Sequence, residues 1–194
     1  MSKQIFIIFG HNNYKSGSSF NAAVRDTFIK EAKNSGHKID LLNIYEDKQL
    51  KFWDGGKPNE QILDYRKRLE QADIMLIMSP CHNYIMNSAT ENFIANIFTP
   101  PWSFSYKKII GNWGYPVPNV LKNKTAIISM TYGGPSFFVS AIIQQIPRRI
   151  KKMVFSGLCG MKVKYLRFYE VLPNMQEETF KKHMEKVRKT AQQL

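Results

Sequence analysis

Short apolar, β-branched runs alternate with segments of helical period along the whole of this chain, and no other feature limits its possible folds as strongly. Ile5 to Phe9 reads as a first buried strand, and Ser19 to Ser35 as a helix with Phe20, Val24, Phe28 and Ala32 along one face, closed by Gly36. Ile39 to Ile44 is a second strand, Pro58 to Ala72 a helix with Ile62 and Leu69 at core spacing, and "DIMLIMSP" a third strand, apolar on both faces. Asn87 to Phe98 is helical and "KTAIISMTY" is a fourth strand. Ser136 to Phe155 is a long helical pattern that Pro147 should kink or split. A fifth strand lies in Lys162 to Val171, and Gln176 to Leu194 closes the chain with Phe180, Val187, Ala191 and Leu194 in one stripe. Such alternation predicts an α/β protein: a doubly wound, five-stranded parallel sheet with helices on both faces. No Pro/Gly/Ser linker interrupts the 194 residues, so 1–194 reads as one domain with one core.

Charge comes next, because it is the strongest compositional signal: 28 basic against 15 acidic residues, a formal +13. That balance invites a nucleic-acid or anionic-membrane reading. The basic residues, however, are spread over helical segments such as "DYRKRLE", "RRIKK" and "KKHMEKVRK", with no nucleic-acid motif beside them. A solvated surface is therefore expected, no nucleic-acid partner, and at most weak contact with an anionic ligand or membrane surface. The longest uncharged stretch, Thr125 to Pro147, is broken by "YGGP" and carries Gln144 and Gln145, which argues against a membrane span. Ile5 to Phe9 is too short for a signal peptide, and a soluble cytoplasmic protein is expected. Cys81 and Cys159 have no C-x-x-C or His-spaced partner, so no metal site and no disulfide is expected.

In doubly wound sheets ligands lie beyond the carboxyl ends of the strands. Three segments fall there: "GHNNYKSGSSFN" after the first strand, "PCHNY" after the third and "TYGGP" after the fourth. A strand that runs into a loop of small polar residues, with a helix directly behind, delivers backbone N–H groups to an anion. The loop is not a nucleotide P-loop, since Phe9 and Tyr14 stand where G-x-x-x-x-G-K-[ST] needs glycines. It is not a G-x-G-x-x-G dinucleotide turn either. His11, directly after a buried strand, is placed for ligand contact. His82 reads as a polar group of the pocket, and Cys81 as a packing residue rather than a nucleophile.

Taken in order, these pieces resemble the flavodoxin-like NAD(P)H:quinone oxidoreductases, from Ile5 to about Val171. His11 and Ser18-Ser19-Phe20-Asn21 are similar to the family's histidine and Ser-Phe-Asn loop, which holds the flavin phosphate. Pro80-Cys81-His82-Asn83-Tyr84 is similar to the stretch that lies against the isoalloxazine ring. "NIFTPPWSFSY" resembles the family's R-V-F-x-x-G-F-A-F segment, and "VLKNKTAIISMTYGGP" its L-L-x-G-K-x-A…T-T-G-G-P. The loop between His11 and the serines is longer than the family pattern. After Gly134 stand Phe137, Phe138 and Gln145, with no histidine for the proton relay of some relatives.

The resemblance implies a flavodoxin-like fold and a flavin bound by His11, Ser18 to Asn21, Pro80 to Tyr84 and Thr131-Tyr132-Gly133-Gly134. NAD(P)H would serve as reductant and a quinone or similar small molecule as acceptor, served in turn by a ping-pong transfer of hydride through the flavin N5. The short segment after Val171 favours FMN, with FAD the alternative. No catalytic side chain is expected, because the cofactor carries the chemistry. Trp102, Phe104 and Tyr106 are expected to wall the substrate cleft at a homodimer interface. Two other classes stay open on the residues alone, a flavodoxin-type electron carrier and a basic regulatory or binding module on the same fold.

Overall fold

The computed structural model describes residues 1–47, 50–111, 113–139 and 152–194. Its centre is a parallel sheet of β1 (Gln4–Phe9), β2 (Lys38–Asn43), β3 (Ile74–His82), β7 (Thr125–Thr131) and β8 (Lys162–Phe168), in the order β2-β1-β3-β7-β8. The chain winds outward from β1 to β2, then crosses back over β1 to β3, β7 and β8. This places a topological switch point between β1 and β3.

Each strand contributes to both faces, as a two-residue period requires. Phe6 and Ile8 of β1 join one cluster with Met75 and Ile77 of β3 and with Ile62, Tyr65 and Leu69 of α2 (Glu60–Gln71). Phe93, Ile94 and Ile97 of α3 (Ser88–Ile97) complete that side. Ile5, Ile7 and Phe9 face the other way, onto Val24 and Phe28 of α1 (Phe20–Asn34). Met184, Val187 and Ala191 of the last helix, Glu177–Gln192, pack there too. Helices therefore cover both faces. The five parallel strands and the doubly wound architecture expected from the sequence are those observed.

The chain between α3 and β7, expected only as an aromatic stretch, is a separate antiparallel hairpin of β5 (Phe104–Ile110) and β6 (Trp113–Pro118). Gly111, at φ +53°, opens its turn. β3 also runs two residues past Pro80, where its pairing with β7 ends, and folds back on the two-residue strand β4 (Ile85–Met86). Of the long helical pattern from Ser136, the structure gives a single turn, α4 (Ser136–Phe138), and a π-helix over Lys152–Leu158. Residues 140–151, with Pro147 and Gln145, lie outside the described residues. The final helix is α5.

Candidate functional site

β1, β3 and β7 run in parallel register, Phe9 beside Met78 and Pro80 beside Thr131, so the loops that leave them emerge at one edge. Side chains tie them together there. Asn21, buried in the first turn of α1, donates its amide to the Thr131 hydroxyl at 3.2 Å and so joins the first loop to the end of β7. Asn87, buried at the N-cap of α3, donates to the carbonyl of Gly10 and accepts from the N–H of Thr90, while its own N–H donates to Ser79 Oγ. Gly10 itself donates to the Met78 carbonyl at 2.8 Å, and a Cβ there would stand 1.9 Å from Thr90 Oγ1. Only glycine lets α3 approach the strand end so closely.

The first loop is shaped by its serines. Ser19 is the N-cap of α1, its hydroxyl accepting from the N–H of Ala22 at 3.1 Å and donating to the Asn13 carbonyl. Ser18 Oγ also reaches the Asn13 carbonyl, at 3.0 Å, and Gly17 takes φ +72° in open space between them. Arg25, buried in α1, lies over the Phe9 ring and donates to the Tyr14 carbonyl, holding the loop's far limb while it pairs with Asp26. His11 is half-buried and its Nδ1 accepts from the N–H of Asn13. Burial, with the nearby His82 adding to it, pushes its pKa below the ordinary 6.5.

The second loop is a strained turn. Asn83 and Tyr84 both adopt positive φ, +48° and +67°, between the paired residues His82 and Ile85, the two-residue geometry that asparagine-glycine ordinarily fills. A tyrosine in that conformation is uncommon, and such outliers cluster at ligand clamps. Tyr84 is 59 % exposed. Cys81, beneath it, packs against the core, and burial raises its thiol pKa. That suits the packing role and not a nucleophile.

In the third loop Thr131 is buried and engaged with Asn21, and Tyr132 is buried with its ring stacked on Tyr169. The Tyr132 ring is turned inward, while Thr131 accepts from Asn21 and keeps its own hydroxyl proton. Gly133 and Gly134 follow, the Gly134 carbonyl accepting from Glu170 N–H. Beyond them Phe137 and Phe138 stand exposed, Phe137 by 75 %.

Three of the expected contacts fall elsewhere. Phe20 packs edge-on to Phe168, Phe180 and His183, so it anchors α1 against α5 and does not face the loops. Trp102 donates its indole N–H to Glu70 in the last turn of α2 and lies beneath the Arg66 guanidinium. That is the amino-terminal edge of the sheet, since α2 ends just before β3 begins. Phe104 is buried beside it, at the base of the hairpin, and only Tyr106 is exposed. Within one chain Trp102 and Phe104 do not wall the cleft; among the described residues the exposed aromatics on the second and third loops are Tyr84, Phe137 and Phe138. Sequence reasoning also missed Asn87 and Arg25, which serve this edge through contacts that no local pattern signals, and the Phe52-Trp53 loop. With His82, Asn83, Ile85 and Asn92, that loop lines a groove of about 650 Å³ beside the β3–β4 turn. Among the described residues no group of His, Cys, Asp and Glu could hold a metal, and no helix is long and apolar enough to cross a membrane.

The donor set fits the phosphate of a flavin. α2, α3 and α5 each carry a carboxylate in the first turn, Glu60, Glu91 and Glu177 with Glu178; α1 has none. An anion at this helix end would meet the first N–H groups of α1, serine hydroxyls and the positive end of the dipole, while the carboxylate of Asp26, which accepts from Ser16 of the loop, is paired with Arg25.

Comparison with known proteins gives the fold. A family model described as a flavodoxin-like fold matches residues 3–193. Among solved structures, the NAD(P)H:quinone oxidoreductase from Methanothermobacter marburgensis is similar with a TM-score of 0.83 at 13 % identity, covering 99 % of this chain and 98 % of that one. Smu.1420 from Streptococcus mutans UA159 gives 0.78 at 22 % identity over 98 % and 100 %. An FMN-dependent NADH-azoreductase from Bacillus anthracis, in complex with FMN, gives 0.77 at 16 % identity over 100 % and 99 %. No curated protein sequence matches.

Proposed function

The chain belongs to the flavodoxin-like family, and on that premise we propose that it is a flavin-dependent NAD(P)H oxidoreductase that passes two electrons to a quinone or a similar acceptor. The observation that carries this reading is the first loop of the switch point, where Ser18 and Ser19 precede a helix whose first turn is free of acid. The first N–H groups of α1 would bind the phosphate by charge-assisted hydrogen bonds, with Ser18 and Ser19 turning their hydroxyl protons to it from the Asn13 carbonyl. Asn21 acts through Thr131, keeping that helix end against the third loop. Pro80 to Tyr84 would form one wall for the ring, and the N–H groups of Gly133 and Gly134 would face its pyrimidine side, where negative charge grows on reduction. Bound there, a flavin would supply the redox chemistry, a two-electron relay between NAD(P)H and the acceptor. No side chain need act as acid or base. The Bacillus anthracis neighbour, solved with FMN, supports FMN over FAD. Tyr84, Phe137 and Phe138 would stack on nicotinamide and acceptor in turn, and a second copy would cover these exposed rings.

The test is direct. The purified protein should show the two visible absorption bands of a flavin, release FMN on heating as identified by mass spectrometry, and oxidise NAD(P)H when a short-chain quinone is added. A colourless protein that takes up neither FMN nor FAD would refute the assignment; flavin without turnover would reduce it to an electron carrier.

A further inference from the structure

We propose that the pocket beneath segment 51–58, between β2 and α2, binds a phosphate monoester, the 2′-phosphate of NADPH. The anion site rests on the charge and burial of its lining; its occupation by the coenzyme rests on the function proposed above.

The pocket, of about 110 Å³, is lined by three cations, Lys51, Lys57 and Arg66, and by one carboxylate, Asp54, which accepts from the Gly56 N–H at 2.8 Å. Both lysines are exposed, and neither has a carboxylate partner among the described residues. Arg66 is only 7 % exposed. Its Nε donates to the Ile97 carbonyl at 3.2 Å, and its Nη2 donates to the Asn96 carbonyl at 3.4 Å and to Thr99 Oγ1 at 2.7 Å. Arg66 thus covers the carbonyls at the end of α3 and keeps Nη1 without an acceptor. Glu70, one turn on, gives its Oε1 to the Trp102 indole N–H and leaves the guanidinium unpaired. Burial holds the Arg66 pKa below its ordinary value, more than the field of Glu70 restores. A buried charge without a counter-charge is costly, and an anion beside Nη1 would supply one. The Thr99 hydroxyl accepts from Arg66 and has no acceptor for its own proton among the described residues.

The segment above the pocket is held in place by α3. Asn92 Nδ2 donates to the Leu50 carbonyl at 3.0 Å, and Asn96 Nδ2 donates to the Lys51 carbonyl at 3.1 Å. Phe52 and Trp53, both exposed, line this pocket and also the groove that reaches His82 and Asn83 of the expected ring wall. α3 runs along both, from Ser88 in the groove to Asn96 in the pocket, eight residues and so about 12 Å. A coenzyme with its nicotinamide at the ring wall and its adenosine over Phe52 and Trp53 brings a 2′-phosphate to the three cations. NADH, which lacks that phosphate, leaves them unmatched. A free phosphate matches the charge but leaves the two rings without a partner.

Calorimetric titration of the purified protein tests the site. Adenosine 2′-phosphate should bind at least about tenfold more tightly than adenosine, and the gain should be lost when the two exposed lysines are changed together, Lys51→Ala with Lys57→Ala. Arg66→Gln should lose it too, while Arg66→Lys, which keeps the charge without the planar fork, should retain part of it. Ser19→Ala, at the flavin end, should keep the gain. In steady state the kcat/KM for NADPH should exceed that for NADH about tenfold, and the lysine pair should bring the ratio near one. Equal binding of adenosine and adenosine 2′-phosphate overturns the proposal. So does a gain that survives both the lysine pair and Arg66→Gln and falls with Ser19→Ala, which would give the phosphate to the first loop. Inorganic phosphate that displaces adenosine 2′-phosphate from the lysines, in a protein that uses NADH as well as NADPH, would make a free anion the occupant and overturn the coenzyme assignment. Lysine-dependent binding of adenosine 2′-phosphate without turnover of either coenzyme would refute the enzyme and keep the site.

Discussion

Ser19 carries two structural duties at the mouth of α1, capping the helix through the Ala22 N–H and bracing the loop through the Asn13 carbonyl. Ser19→Ala should therefore cost stability as well as flavin: about 1 kcal/mol for the lost cap, and, for a donor to a charged acceptor, about 1.5–3 kcal/mol of binding less what turning its proton from the Asn13 carbonyl costs. Asn21→Ala should weaken flavin binding too, but through the Thr131 contact, so Thr131→Val should reproduce its effect. Equilibrium dialysis of flavin beside thermal melts separates the two terms; unchanged affinity in Ser19→Ala would move the phosphate elsewhere. His11 yields a pH prediction with a definite sign. Its folded pKa lies below the ordinary 6.5, so the unfolded chain binds the proton more readily, and the contribution is fully present above pH 6.5 and lost as pH falls below it. The melting temperature of the flavin-free protein should drop from about pH 7.5 to about pH 5.5, and drop less in His11→Gln. An anion bound beside the ring favours its charged form and should flatten that slope.

At the scale of elements, the β3–β4 turn is where local preference and observed backbone disagree most. Tyr84 holds φ +67° in a position that favours glycine, at a cost of about 1–3 kcal/mol that its surroundings must offset. Tyr84→Gly should relieve part of that cost. We expect a gain of about 1 kcal/mol, or about 2–4 °C in melting temperature for a chain of this size. The same change removes an exposed ring from the border of the cleft, so the KM for the quinone should rise about three- to tenfold while flavin affinity changes little, as loss of a stacking contact predicts. A variant no more stable than the parent, with unaltered KM, would make the turn an ordinary connection. Gly10 shows the opposite case, a residue whose type is dictated by packing: Thr90 Oγ1 occupies the space that a Cβ would need.

For the whole molecule, the three loops converge on one edge, and a ligand that bridges them should stabilise the fold as a unit. Flavin at about a hundred times its dissociation constant should add about 2.7 kcal/mol, read by calorimetry as a rise of several degrees and a single transition. Steady-state kinetics with NAD(P)H and quinone should give parallel double-reciprocal lines, because both visitors would use the same face of one cofactor in turn; intersecting lines would give them separate sites. The sequence by itself determined the order of elements, the doubly wound class and the three loops that carry the chemistry, because helical and strand periods, caps and turn residues act over a few neighbours. The serines before α1 were legible for the same reason. Tertiary structure alone decided which of those loops' side chains remain free. Asn21 meets Thr131 and Asn87 meets Gly10 across 110 and 77 positions of chain, and Tyr132 turns inward to stack on Tyr169. It also put Trp102 at the amino-terminal edge beside Glu70, far from the cleft its aromatic character suggested. The end of a sheet at which a loop lies, and the face to which a side chain turns, follow from the register between strands distant in sequence, which no local pattern encodes.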